Sequence, residues 1–461
     1  MSDLSQIVKA YDIRGVVPDQ WDERAAAALG AGFAQFLKFS KTGATSVVIA
    51  HDMRASSPDL AAAFGRGVLG EGLGVIEAGL GSTDMLYFAA GSLDLPGAMF
   101  TASHNPAQYN GIKLCLAGAK PVGQQTGLVE IRDNAQRILD GAAPQPAPAP
   151  GAAPERRDLL TDYARHLRTL VDLRGIRPLK VVVDAGNGMG GYTVPAVLGD
   201  AALDALPLTI VPLYFELDGS FPNHEANPLE PKNLVDLQHA VVQHGADLGL
   251  AFDGDADRCF VIDERGEPVS PSAITALVAA RELAKHPGDT IIYNLITSTA
   301  VPEIIKENGG TPVRARVGHS FIKSEMARTN AVFGGEHSAH YYFREFWFAD
   351  TGMLAAMHVL AALGGQPEPL SRLGSAFERY VASGEINSTV QDQGAKQQEV
   401  RAAYPDAEVD ELDGLTLTFP DGAWLNLRAS NTEPLLRLNV EAPTATRMAE
   451  LRDEALGLIR R

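Results

Sequence analysis

The sequence predicts an α/β protein of several domains: three consecutive α/β domains with mixed, mostly parallel sheets, then a smaller C-terminal α+β domain. Three observations carry this prediction. At 461 residues the chain exceeds what one ordinary hydrophobic core supports. Apolar, β-branched runs alternate with helical patterns in three successive stretches, as parallel sheets require. From about residue 376 the character shifts to short strands of alternating polarity.

In the first stretch, SVVIAHD (46–52) reads as a buried strand. SSPDLAAAFGRGVLGEG follows, with Ser57 as the expected cap, Pro58 at the first helical position, and Leu60, Phe64 and Val68 on one face. GVIEAG (74–79) and the apolar run ahead of Thr101 complete a βαβ-like alternation. The segment GAAPQPAPAPGAAPE (141–155) has five prolines and one charge, a composition that favours extended polyproline and marks a linker. The alternation restarts at LKVVVDAGNGMGG (179–191) and LTIVPLYF (208–215), and again at DTIIYNLITS (289–298). VASGEINSTV, LTLTF, AWLNLRAS and LLRLNVEA then read as antiparallel strands before one helix, TATRMAELRDEALGLIRR. The expected domains are 1–140, 157–264, 265–375 and 376–461, with 141–156 as the linker.

Charge excludes some functions. With 39 basic against 57 acidic side chains the net charge is −18, which repels nucleic acid and anionic membranes. The same field repels sugar phosphates, so an anionic ligand must be held by a few arginines and backbone amides gathered locally. No apolar run reaches the roughly 20 residues of a membrane helix, the start MSDLSQIVKAYDIRG lacks a signal-peptide pattern, and Cys115 and Cys259 cannot form a disulfide framework. A cytoplasmic location is expected, and no obligate protein partner is evident.

Four motifs could carry chemistry. In FTASHNPAQYNGIKL (100–114), Ser103 follows an apolar strand, where open α/β sheets place ligands; it could be a nucleophile, with His104 or Lys113 close in the chain. The alternative is a tight Ser-His-Asn-Pro turn. In LGLAFDGDADRCFVID (248–263), Asp253, Asp255 and Asp257 alternate with small residues and can converge on a hard cation such as Mg²⁺ or Ca²⁺. An EF-hand fails here, because position six is Arg258 instead of glycine and strands flank the loop. Arg258 offers a positive fork for a phosphoryl group.

In ARVGHSFIKSEM (315–326) with VFGGEHSAHYYFRE (332–345), Glu336, Ser338 and His340 alternate, and in an extended loop would point one way, suited to sugar hydroxyls. An exposed strand end is the alternative. In LNLRASNTEPLLRLNVEA (425–442), Arg428, Ser430, Thr432 and loop amides make a phosphate cradle, with Arg437 near, or else a capped hairpin. DAGNGMGG (184–191) has dinucleotide-loop spacing but lacks the acid expected about 20 residues on, so a packing loop is the better reading.

In this order TASHNP, DGDADR, GEHSAH and RASNTEP, with Tyr11-Asp12-Ile13-Arg14-Gly15 near the start, resemble the α-D-phosphohexomutases, above all the bacterial phosphomannomutase/phosphoglucomutase branch. The resemblance covers nearly the whole chain. It implies four domains around a central cleft and interconversion of hexose 1- and 6-phosphates through a hexose 1,6-bisphosphate, which also serves as activator. It implies a phosphorylated Ser103, with Lys113 and His104 as proton-transfer candidates. Mg²⁺ would bind Ser103, Asp253, Asp255 and Asp257; Arg258 and Arg14, with Tyr11 in the same motif, would steady the phosphoryl group. The loop Glu336-His337-Ser338-Ala339-His340, with Gly318 and His319, would read the sugar. Arg428-Ala429-Ser430-Asn431-Thr432 and Arg437 would hold the non-reacting phosphate. Leu295 stands roughly where many relatives carry a lysine that contacts substrate, and His337 stands where glucosamine-selective relatives usually carry glutamine, which argues against glucosamine phosphate as the substrate. A phosphoglucosamine mutase is the first alternative, and a metal-dependent sugar phosphatase and a non-catalytic sugar-phosphate-binding protein are the competing readings from other classes.

Overall fold

The apolar runs of the sequence become the central strands of parallel sheet segments, because side chains apolar on both faces need cover on both faces. The computed structural model describes residues 3–143, 149, 152–429 and 435–461. Contacts divide the chain into two units, Met1–Val269 with Ser338–Ser371, and Ser270–His337 with Arg372–Arg461.

In the first unit, Ser46–His51 pairs in parallel with Gly74–Leu80 on one side and Gly97–Phe100 on the other. Tyr109–Leu116 then runs antiparallel to Gly97–Phe100, and Ile13–Val16 antiparallel to Tyr109–Leu116. This register sets Lys113 opposite Met99, just ahead of the Ser103 loop. Glu155–Arg156, at the end of the proline-rich segment, pairs with Ile76 and Glu77 at the sheet edge. In a second sheet Leu179–Asp184 lies between the parallel strands Leu208–Leu213 and Leu248–Phe252. Leu248–Phe252 continues as an antiparallel hairpin with Cys259–Asp263, so the three aspartates occupy the turn between two fully buried strands.

In the second unit, Thr290–Asn294 lies between parallel strands Thr311–Ala315 and Phe333–Gly335. Its C-terminal part is an antiparallel sheet in which Leu435–Ala442 pairs with Trp424–Ala429, Ile386–Thr389 and Val381–Ala382. Leu425, Leu427, Leu436, Leu438 and Val440 form its core with Leu451 and Ala455 of the helix Ala445–Ile459. VASGEINSTV, read as one strand, is two, broken around Gly384, whose φ is +68°. No helix among the described residues is long and apolar enough to cross a membrane.

One helix start differs from expectation. Ser56, not Ser57, is the N-cap of the helix Ser57–Gly70, and no side-chain cap bond forms. Tertiary bonds take both hydroxyls: Asn110 Nδ2 donates to Ser56 Oγ (2.8 Å) and Ser57 Oγ (2.9 Å), and Ser57 Oγ donates to Asp52 Oδ1 (2.6 Å).

The helices Glu23–Phe39 and Ser57–Gly70 meet through glycines, which explains residues otherwise unfavourable in helix interiors. A Cβ on Gly67 would overlap the Ala27 carbonyl, and one on Gly30 the Phe64 carbonyl. Gly67→Ala gains up to about 1 kcal/mol of helix propensity, but separating the helices costs about 1–3 kcal/mol. Urea unfolding should therefore show a destabilised variant; a stabilised one would contradict the close crossing.

Candidate active site

The Ser103 loop leaves the carboxyl end of Gly97–Phe100 and turns at once. Ser103 has φ +50°, a left-handed conformation costly for a side-chain-bearing residue, and its N–H donates to Thr101 Oγ1 (2.9 Å). The side chain is 5% exposed. Its Oγ donates to Asp253 Oδ2 (2.9 Å) and lies 3.1 Å from His104 Nδ1. The two loops touch so closely that a Cβ on Gly254 would overlap the Ser103 carbonyl. Here glycine is required by approach, not by turn geometry.

Asp253, Asp255 and Asp257 are all buried, and one oxygen from each lies within 4.8 Å of the others. Two basic side chains serve the three carboxylates. Lys113 Nζ donates to Asp255 Oδ2 (2.7 Å) and Asp257 Oδ2 (2.6 Å). Arg258 Nε donates to Asp253 Oδ2 (2.9 Å). Thr83 donates to Asp255 twice, from its hydroxyl to Oδ2 (2.5 Å) and from its N–H to the main-chain carbonyl (3.0 Å). Asp255 Oδ1, Asp257 Oδ1 and Arg258 Nη2 are buried without hydrogen-bond partners. Buried carboxylate oxygens without donors are expensive, and a hard cation is the ligand such oxygens accept. The residues therefore fit a divalent metal.

The titration of these groups follows from burial and neighbours. Burial, reinforced by Asp257 and Asp255, raises Asp253 to about 7 despite Arg258. Burial would also raise Asp255, but Lys113 and Thr83 outweigh it and hold it below the usual carboxylate range. Burial opposes the charge on Lys113, and Asp255 and Asp257 overcome it, leaving the ammonium well above its ordinary range. Burial, with Arg258 and Arg14 nearby, drives His104 well below the usual histidine value. Arg14 donates to Asn105 Oδ1 (2.6 Å) and pairs with Asp12, while Tyr11 is half-buried beside them in the chain.

The glycine-rich 184–191 segment is packing, as read: Met189 N–H donates to the Gly254 carbonyl (2.9 Å), so it buttresses the acidic turn. Ser338 Oγ and His340 Nδ1 are 3.0 Å apart, and His340 Nε2 is 3.9 Å from Asp257 Oδ1. The extended backbone expected there does not hold, since Ala339 has φ +64°. The kink follows from pairing: Arg258 and His340 form an antiparallel bridge that draws this stretch onto the acidic turn.

In the second unit Glu336 is 2% exposed and its Oε2 accepts from Asn294 Nδ2 and the Gly318 N–H, both at 3.1 Å. Gly318, with φ +128°, caps the helix His319–Thr329 at half-buried His319. His337 Nδ1 is 3.0 Å from Ser272 Oγ, and burial lowers its pKa. Leu295 is 3% exposed and supplies no charge in place of a lysine. Arg428 and Arg437 stand directly opposite each other on paired strands, an unfavourable arrangement unless something negative joins them. Glu385 does so, 3.4 Å from Arg428 and 3.5 Å from Arg437, and Asp413 is 3.8 Å from Arg428. Sequence spacing, which finds no acid there before Glu433, missed this pairing. Ala429 ends its strand, and Ser430, Asn431 and Thr432 lie outside the described residues.

Sequence reasoning also missed Arg54, Thr83, Asp84 and Asn294. The first has a signal in retrospect, since Asp52 and Arg54 stand where a buried strand ends. The others are brought in by tertiary contact and leave no local pattern.

Comparison with known proteins agrees with this chemistry. Models of the phosphoglucomutase/phosphomannomutase alpha/beta/alpha domains I, II and III match residues 5–140, 161–266 and 270–380, and that of the C-terminal domain matches 385–458. The chain belongs to this family of phosphohexose mutases, and is a mutase, an isomerase. It is 41% identical over 454 residues to the phosphohexose mutases of Xanthomonas campestris pv. campestris, covering 97% of this chain and 98% of the relative. It is 37% identical over 458 residues to an Escherichia coli phosphomannomutase, covering 98% of each. A crystal structure of a phosphoglucomutase/phosphomannomutase family protein from Burkholderia thailandensis superposes with a TM-score of 0.87 at 32% identity, covering 100% of this chain and 98% of that one.

A buried acid close to the site makes a pH test. Asp84 accepts from Tyr163 Oη (2.7 Å), Thr351 Oγ1 (2.7 Å) and the Ser82 hydroxyl, at the start of the helix that carries Thr83. Burial nevertheless raises it from 3.8 to about 6. Between those values the unfolded chain ionises while the folded one stays protonated, so Asp84's contribution to stability declines as pH rises from about 4 to about 6. The decline is on the order of 3 kcal/mol. Urea unfolding of wild type and Asp84→Asn from pH 4 to 6.5 should show a flatter profile in the variant; parallel profiles would contradict the assignment.

Proposed function

We propose that the protein interconverts hexose 1-phosphate and hexose 6-phosphate, of mannose, glucose or both, through phosphorylated Ser103 and a hexose 1,6-bisphosphate. The single observation that carries this reading is the surroundings of Ser103 Oγ: 2.9 Å from Asp253, beside an acidic cluster with two partnerless oxygens and the partnerless Nη2 of Arg258.

In the first half-reaction a sugar hydroxyl oxygen bonds to the phosphorus, the Ser103 Oγ–P bond breaks, and the hydroxyl proton ends on Oγ. The bisphosphate turns over and the step runs in reverse at its other phosphate. Phosphoryl transfer needs alignment and charge neutralisation above all. When bound by Asp253, Asp255, Asp257 and an oxygen of phosphorylated Ser103, Mg²⁺ would supply that neutralisation at the phosphoryl oxygens. Arg258, through Nη2, and Arg14 hold the same oxygens. His104 Nδ1, 3.1 Å from Oγ, is the proton relay favoured by geometry, while Lys113 is engaged with two aspartates.

In this reading Glu336, Ser338 and His340, with Gly318 and His319, read the sugar hydroxyls. Arg428, Ala429, Ser430, Asn431, Thr432 and Arg437 hold the phosphate that is not reacting, which would displace Glu385 from the two arginines. His337, engaged with Ser272, fits mannose or glucose better than glucosamine.

Coupled turnover of mannose 1-phosphate and glucose 1-phosphate, with Mg²⁺ and a trace of glucose 1,6-bisphosphate, tests the reading. Wild type should convert one sugar or both, and Ser103→Ala should lose about 10³-fold or more in rate. Release of inorganic phosphate without 6-phosphate would point instead to a phosphatase.

A further inference from the structure

Arg54 is 1% exposed and uses all five of its guanidinium N–H groups. Nε donates to Asp52 Oδ2 at 3.2 Å. The other four go to main-chain carbonyls of one short loop. Nη2 donates to Ser103 (2.9 Å) and Asn105 (2.7 Å), and Nη1 to Pro106 (2.9 Å) and Tyr109 (2.9 Å). Asp52 is fixed in turn by Ser57 Oγ (2.6 Å) and by the Arg54 N–H (3.0 Å). The guanidinium also lies 5.0 Å from the ring centroid of Phe221, and a Cβ on Gly219 would come within 2.6 Å of Arg54 Cα. The side chain has no freedom to move away.

We propose that Arg54 is a positioning residue for phosphoryl transfer, its planar fork gathering the carbonyls of Ser103, Asn105, Pro106 and Tyr109 so that Ser103 keeps the left-handed conformation that aims Oγ at Asp253. The inference rests on the reading of Ser103 as the phosphoryl carrier. The left-handed φ of +50° at Ser103 is costly for a residue with a side chain, the Thr101 hydroxyl holds it from one side, and the hydrogen bond Arg54 gives Ser103 goes to its carbonyl. Arg54 thus touches the loop's backbone and acts on Oγ through it. A lysine offers three donors from one point and cannot reach four carbonyls spread over seven residues.

The test compares wild type, Arg54→Lys and Arg54→Ala by kcat, KM, thermal unfolding and phosphate on Ser103 after incubation with glucose 1,6-bisphosphate, read by intact mass. Misplacing a nucleophile by about 1 Å costs on the order of 100-fold. Arg54→Lys should therefore lose kcat by about that factor, with KM within about threefold and the protein folded. Methylguanidinium should restore at least about tenfold in Arg54→Ala, where the space is vacated, and nothing in Arg54→Lys. Unchanged kcat in Arg54→Lys, a loss confined to KM, or a loss that follows loss of folded protein and resists methylguanidinium would each overturn the proposal. If wild-type Ser103 takes no phosphate, the carrier reading fails and takes this one with it. If wild type and Arg54→Lys take it equally fast, only the role of Arg54 falls.

Discussion

Three aspartates buried on one hairpin turn set the terms for the rest of the first unit. A buried carboxylate is tolerated only with close partners, and three of them also repel one another. The chain answers with Lys113 from an adjacent sheet, Arg258 from the turn itself, and the Thr83 and Ser103 hydroxyls. Two cations for three anions leave a negative remainder, and two carboxylate oxygens keep no partner. Such a turn could hold a divalent cation.

That electrostatic demand shapes the backbone. To face one another the Ser103 loop and the acidic turn approach until only glycine fits at position 254, and Ser103 and Ala256 both adopt left-handed conformations. Residues with no reactive role then carry the strain: the guanidinium of Arg54 beneath one loop, the glycine-rich 184–191 segment against the other. The second unit meets the converse problem, two facing arginines joined by Glu385. There Glu385 bridges both guanidiniums at 3.4 and 3.5 Å, with Asp413 3.8 Å from Arg428.

How much of this was legible depended on range. The strands 46–51, 179–184 and 290–294 follow from β-branched runs; each starts within a residue of the run read from sequence, and the second and third end short of the runs 179–191 and 289–298, where glycines or polar residues begin a loop. The convergence of three carboxylates in DGDADR was legible because it lies in six consecutive residues between two strands. The helix start at Ser57 was misplaced by one position, since Asn110 takes the hydroxyls and no local rule foresees a partner 53 residues away. The kink at Ala339 has the same origin, in pairing with Arg258. Thr83 and Glu385 were invisible because their partners come from other elements, and the role of Arg54, though it stands with Asp52 at a strand end, depends on burial that cannot be read from composition.

The central claim is that Ser103 passes its phosphoryl group to the sugar and takes one back. A single turnover of enzyme carrying ³²P on Ser103, quenched over time with excess mannose 1-phosphate, addresses it directly. The account predicts label first in a hexose 1,6-bisphosphate and then in hexose 6-phosphate, with little in inorganic phosphate. Label that passes straight to inorganic phosphate, or that never leaves the enzyme while product forms, would contradict it.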